Sequence, residues 1–206
     1  KHENLFVMAD EIYEHINFVG KHESIGQFAE VKDRVITING VAKGFAMTGW
    51  RIGILAAPLP IAAACKKLQG QVSSATCSIA QKATVRAMMM DPTTSEDIIN
   101  MRNIFMKRRD LVFDLLSAIP GLKVRKPQGA FYFFPDVSAY YGKSFNGKKM
   151  ENSTDIAFYL LNEAHVATVM GSAFGDDDCI RLSYATSEDL LIEALRRMKE
   201  AFAKLA

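Results

Sequence analysis

The chain holds 206 residues, with 25 Lys+Arg against 23 Asp+Glu for a formal charge of +2, and 49% of it is hydrophobic. That balance is the profile of a soluble, well-cored globular protein; it excludes a disordered or low-complexity chain and gives no whole-protein attraction for nucleic acid or an anionic membrane. The longest apolar stretch, residues 52–65, is broken by Pro58 and Pro60 and falls short of the roughly 20 residues a spanning helix needs.

Cys65, Cys77 and Cys179 are scattered, odd in number and form no CxxC pair. Reduced thiols in a cytoplasmic protein are expected, rather than a disulfide framework or a zinc site. His2, His15, His22 and His165 show no ligand spacing, so no metal is expected. No signal peptide is visible, and the chain opens on Lys1 in mid-pattern, which suggests a piece of a longer protein.

Leu5-Phe6-Val7-Met8-Ala9 is an apolar run ending at Asp10, and it reads as a strand covered on both faces, of the kind found in parallel sheets. Residues 34–38 and 52–56 read the same way, punctuated by glycines and a proline. Asp91-Pro92-Thr93-Thr94 is a breaker, and Ser95 then caps a helix whose first turn holds Glu96 and Asp97. Apolar residues at Ile98, Met101, Phe105, Val112, Leu115, Leu116 and Ile119 make this one long amphipathic helix, stopping at Pro120-Gly121. Lys107-Arg108-Arg109 is expected as a surface charge cluster on its polar face. Beyond it, residues 122–125 and 130–134 look like antiparallel strands. A helix capped by Ser153 runs from about 154 to 165, and residues 166–170 and 179–185 read as strands. The last helix starts at Ser187 and carries the stripe Leu191, Leu195, Met198, Phe202 and Leu205. The layout is part of a parallel α/β sheet, a connecting helix and a smaller α+β unit.

A carboxylate directly after a buried strand, as at Asp10, sits where open α/β sheets bind ligands, although an Asp there also serves as a helix cap. Lys43 lies among Val41, Ala42, Gly44 and Phe45. Buried there, its amine would be a candidate nucleophile or Schiff-base former; exposed, it would be an ordinary loop lysine. Ile180, Leu182 and Tyr184 alternate with Arg181 and Ser183, so a strand would turn Arg181 away from its apolar neighbours, toward solvent or toward a site. Asp176-Asp177-Asp178 lacks EF-hand spacing and reads as a solvated turn, and the aromatics of 129–134 read as alternating core strand rather than a nucleic-acid platform.

In combination these parts are far more specific. Asp10-x-x-Tyr13 after a strand, then Lys43, then Arg51 inside Gly49-Trp50-Arg51-Ile52-Gly53 resembles the fold-type I pyridoxal-phosphate enzymes, and within them the class I aminotransferases. Residues 46–53 and 180–187 are similar to signatures of bacterial-type aspartate aminotransferases, and Gly129-Ala130-Phe131-Tyr132-Phe133-Phe134 and Gly171-Ser172-Ala173-Phe174-Gly175 match small-domain landmarks. The resemblance covers essentially the whole chain. It implies that residues 1–93 are the carboxyl-terminal part of a mainly parallel-sheet cofactor domain and that 94–206 are the connecting helix and small α+β domain. It further implies pyridoxal 5'-phosphate as cofactor, with Lys43 forming the Schiff base and then moving the Cα proton. Asp10 would hold the pyridine nitrogen protonated, Tyr13 would donate to the ring phenolate oxygen, Arg51 would grip the phosphate and Arg181 the substrate α-carboxylate.

The implied activity is ping-pong amino-group transfer between aspartate or glutamate and a 2-oxo acid. The resemblance also implies a homodimer, residues 71–81 being similar to the segment that approaches the partner's site, and no nucleic-acid or membrane partner is expected. Two other readings share the pattern: an aminotransferase for aromatic or other amino acids, and the cofactor-sensing domain of a transcription regulator. Ala42 stands where many relatives carry a phosphate-binding Ser, and Met170 where a proline is common. The residues that supply the rest of the phosphate cradle and the side-chain carboxylate site in this family have no counterpart here, so the chain alone is expected to be inactive.

Overall fold

The computed structural model describes residue 2 and residues 4–206. It divides into two units, Lys1–Arg102 and Asn103–Ala206. No helix among the described residues is long and apolar enough to cross a membrane.

In the first unit, strands β1 (Val7–Asp10), β2 (Val35–Gly40) and β3 (Gly53–Ala56) form a sheet in that order. β1 and β2 run parallel, with Asp10 opposite Ile38. β3 returns antiparallel, with Gly40 opposite Gly53. The reading of 52–56 as another strand of the parallel kind is therefore corrected in direction. A parallel return needs a crossover, usually a full helix, and residues 41–52 hold only a 3-10 turn at Thr48–Trp50. β1 is also less covered than its apolar run suggests, since Leu5 and Phe6 are exposed and Met8 is 73% exposed. An apolar run states what a strand can bury; its neighbours decide whether it is buried.

Helices α1 (Leu59–Val72) and α2 (Ser78–Met88) fill the stretch between β3 and the Asp91-Pro92 breaker. Pro60 sits in the first turn of α1, where its missing N–H costs no hydrogen bond. Ala80 and Ala87 of α2 pack with Val41 and Ile52 into a small core edged by Phe45, Met47 and Ile54. The short alanine side chains let the helix approach both ends of the 41–52 loop closely.

Helix α3 (Glu96–Ser117) has the acidic first turn the sequence indicates. Arg109 corrects the surface-cluster reading: it is 9% exposed, with Nε donating to Asp110 at 2.8 Å and Nη1 to the Pro127 carbonyl at 3.4 Å. It lies four residues after Phe105 and three before Val112, in register with the apolar stripe, so helical geometry carries it inward.

The second unit builds β4 (Tyr132–Phe133), the hairpin β5 (Ser144–Phe145) and β6 (Lys148–Lys149), α4 (Ser153–Tyr159), β7 (Val169–Met170), β8 (Ile180–Ser183) and α5 (Glu188–Ala203). β8 is the centre of an antiparallel β4-β8-β7 sheet. Residues 122–125 form no strand; Lys123 makes only an isolated bridge to Asp136. The cap of α4 is Asn152, which accepts from the Asp155 amide at 3.0 Å, whereas the Ser153 hydroxyl donates to Asp177 at 2.5 Å. The α-helix gives way to a π turn at Leu160–Ala164 before His165 ends it in a left-handed conformation. α5 begins as read, with Ser187 accepting from the Leu190 amide, and its stripe of Leu191, Leu195, Met198, Phe202 and Leu205 is buried.

Candidate active site

Strand direction brings three sequence-predicted residues to one end of the first unit's sheet. Asp10 is the last residue of β1, Lys43 follows the end of β2 by three residues, and Arg51 precedes β3 by two. Because β1 and β2 are parallel and β3 is antiparallel, these positions all fall at the carboxyl end of the parallel pair, where open α/β sheets bind ligands. The corrected direction of β3 is what places Arg51 there.

The turn after β1 is held in place by polar contacts. The Ile12 amide donates to Asp10 Oδ1 at 3.2 Å and the Glu11 amide to the Ile38 carbonyl at 2.8 Å. The Glu11 carboxylate, itself buried, accepts from the Ser24 hydroxyl at 2.7 Å and lies 3.1 Å from His22 Nε2. Asn39 Nδ2 donates to Glu14 Oε1 at 2.9 Å, joining this turn to the end of β2. Tyr13 therefore sits on a turn fixed from both sides.

The loop carrying Lys43 is anchored at buried Val41 and Ile52. Lys43 is itself half-buried, between buried Val41 and buried Gly44, and its carbonyl accepts from the Ala46 amide at 3.2 Å. Ala46 (φ 52°) and Arg51 (φ 57°) both adopt left-handed backbone, which for residues with a Cβ costs on the order of 1 kcal/mol each. Neither position is a glycine, so nothing in the sequence announces these bends. Arg51 Nη1 donates to the Thr48 carbonyl at 3.0 Å, and the residue lines an open cavity of about 710 Å³ with Gln69, Ser73 and Thr76. A guanidinium with hydroxyl and amide donors beside it is a donor set suited to a phosphate.

Arg181 lies in the second unit, on β8. Ile180 and Tyr184 are buried while Arg181 is half-buried and Ser183 exposed, in line with the alternation read from the sequence. Its guanidinium carbon lies over two aromatic rings, 4.6 Å from the centre of Tyr132 and 4.3 Å from that of Phe174. The sequence reading assigned neither aromatic a part at the site, although both fall within glycine-bounded segments that it singled out. Nearby, Cys179 is buried, and burial followed by the charge of Asp176 pushes its thiol pKa up to about 11. It therefore stays protonated and unreactive.

Asp10 and Lys43 thus stand at one sheet end, and Arg51 lines a cavity beside it. The chain belongs to the aminotransferase class I and II family, whose model matches residues 1–198. Among its relatives is the bifunctional aspartate aminotransferase and glutamate/aspartate-prephenate aminotransferase of Petunia hybrida, 44% identical over 100% of this chain and 43% of that protein. The crystal structure of the Rhizobium meliloti aspartate aminotransferase superposes with a TM-score of 0.93 at 41% identity, covering 100% of this chain and 51% of the other. An aromatic aminotransferase from Pyrococcus horikoshii OT3 gives a TM-score of 0.85 at 36% identity, over 97% of this chain and 51% of that one. The chain thus spans about half the length of the relatives it matches.

Proposed function

We propose that this chain carries the amine, the acid, the phosphate clamp and the carboxylate anchor of an aminotransferase that exchanges amino groups between aspartate or glutamate and a 2-oxo acid. The observation that carries the reading is the convergence of Asp10, the Tyr13 turn, Lys43 and Arg51 on one end of the sheet. That donor set fits pyridoxal 5'-phosphate: an acid for a pyridine nitrogen, an amine for an aldehyde, a phenol for a ring oxygen and a guanidinium for a phosphate. When bound, the cofactor supplies an electron sink for the charge that develops at the substrate Cα.

The chain's own groups do the rest. Asp10 keeps a proton on the ring nitrogen, and its alignment comes from the Ile12 amide. Tyr13 donates its hydroxyl proton to the ring oxygen. Arg51 binds the phosphate with a planar, permanently charged fork. Lys43 removes the proton from the substrate Cα as a general base and returns it as an acid. Arg181 orients the substrate by its α-carboxylate. Aspartate is favoured because most of the close relatives are named for it.

In the same reading the full-length protein is a cytoplasmic homodimer. Val72 and Ile79, within the 71–81 segment, are 77% and 73% exposed, and apolar side chains so placed suit a subunit contact. The 206-residue chain alone is inactive in this reading, because it spans only half of its relatives' length.

The test is Lys43→Ala in the full-length protein. Transamination from aspartate to 2-oxoglutarate should be lost, and borohydride should no longer fix cofactor to the peptide containing residue 43. Normal turnover in that variant would overturn the assignment.

A further inference from the structure

Two glycine-bounded segments, 129–134 and 171–175, meet at Arg181, which lies over the rings of Tyr132 and Phe174. Both rings are themselves held. Tyr132 packs against Phe131 with centres 4.8 Å apart, and its backbone pairs with Ser183 of β8. Phe174 meets Phe134 edge-on at 6.1 Å. It is the last residue of a 3-10 turn, Gly171–Phe174, that closes through Gly175 at φ 83°. The turn sits tightly against the start of β8: a Cβ at Gly171 would come within 2.1 Å of the Cys179 carbonyl oxygen and 2.2 Å of that of Asp176. Only glycine lets the turn approach so closely, and the approach sets where Phe174 stands.

We propose that Tyr132 and Phe174 are positioning residues for carboxylate recognition, holding the Arg181 guanidinium by their ring faces so that its N–H donors stay available to the substrate. The proposal rests on the reading of Arg181 as the α-carboxylate anchor. A ring face attracts a cation through its quadrupole without acting as a conventional hydrogen-bond acceptor. An aspartate or glutamate partner would also hold the arginine, but it would occupy the same donors a substrate carboxylate needs. Among the described residues the Arg181 side chain makes no ion pair and no hydrogen bond, and its guanidinium lies over the two rings. A long arginine left free would also lose rotamer freedom when substrate binds; ordering it during folding removes that loss from binding.

The rings act on carboxylate binding and not on proton transfer, so removing one should raise KM and leave kcat nearly unchanged. The experiment is calorimetric titration of the full-length, cofactor-loaded protein with maleate, an unreactive dicarboxylate, alongside steady-state kinetics with aspartate and 2-oxoglutarate. Phe174→Leu and Tyr132→Leu should each weaken maleate binding about five- to tenfold and raise both KM values together, with kcat held within about twofold. Phe174→Tyr and Tyr132→Phe, which keep the ring faces, should bind maleate like the parent. Wild-type affinity in the leucine variants, or equal losses in the ring-keeping variants, would overturn the proposal. Arg181→Ala separates the two claims. If it abolishes maleate binding while the leucine variants do not, the anchor stands and the ring cradle falls; if it binds normally, the anchor reading falls and takes the cradle with it.

Discussion

His15 occupies the space that a side chain at Gly44 would need: a Cβ built there would lie 2.5 Å from His15 Cδ2 and 3.2 Å from its Cβ. The ring cannot step aside freely, because it meets Phe45 edge-on with centres 5.3 Å apart. The turn that carries Tyr13 and the loop that carries Lys43 are thus locked together next to the amine.

Gly44→Ala should therefore destabilise the full-length protein by about 1–3 kcal/mol, the usual range for overpacking. Adding His15→Ala should recover most of that loss. Urea denaturation of the two single variants and the double variant checks it, and additive losses would show that the contact is not the cause.

Asp10 is exposed in this chain, and its recorded contact is the Ile12 amide. Asp10→Ala in the full-length protein should leave the thermal midpoint almost unchanged and lower kcat by about 100-fold or more, the scale of losing one preorganised electrostatic partner. A near-normal kcat would reduce the carboxylate to a turn cap.

Arg51→Lys keeps the charge but loses the planar fork, and the Ser position before the lysine is already Ala42. Cofactor affinity should fall by about 10- to 150-fold, since a hydrogen bond to a charged group is worth about 1.5–3 kcal/mol. Equilibrium dialysis of the full-length protein against pyridoxal 5'-phosphate measures this directly.

Asp136 joins the loop at Lys123 to the turn before β5. Burial works to raise its pKa, but the Lys123 ammonium at 2.6 Å and the hydroxyl and amide of Ser138 outweigh it and hold the value at about 2, below the usual 3.8. A carboxyl whose folded pKa is depressed stabilises the fold above its unfolded value, and that stability is lost as pH falls from about 4 toward 2. Lys123 is 73% exposed, so solvent screening limits the effect to about 1 kcal/mol. Asp136→Asn should flatten the acid limb of the stability curve over that interval, read by thermal melts at successive pH values.

The proposed site is more legible in the local sequence than the sheet around it. Asp10, Tyr13, Lys43, Arg51 and Arg181 stand out because their spacing matches a family pattern, and the long helix and α5 stand out because a 3.6-residue period survives in a linear string. The Ser187 cap and the buried α5 stripe follow from the same local rules. Strand direction does not: whether residues 53–56 run with β2 or against it depends on how the 41–52 loop closes, a property of the folded backbone. The inward placement of Arg109, the left-handed bends at Ala46 and Arg51, and the two rings over Arg181 likewise arise only when distant segments share space. Residue type and spacing state which chemistry is present, whereas packing between segments far apart in the chain decides which groups are held still enough to perform it.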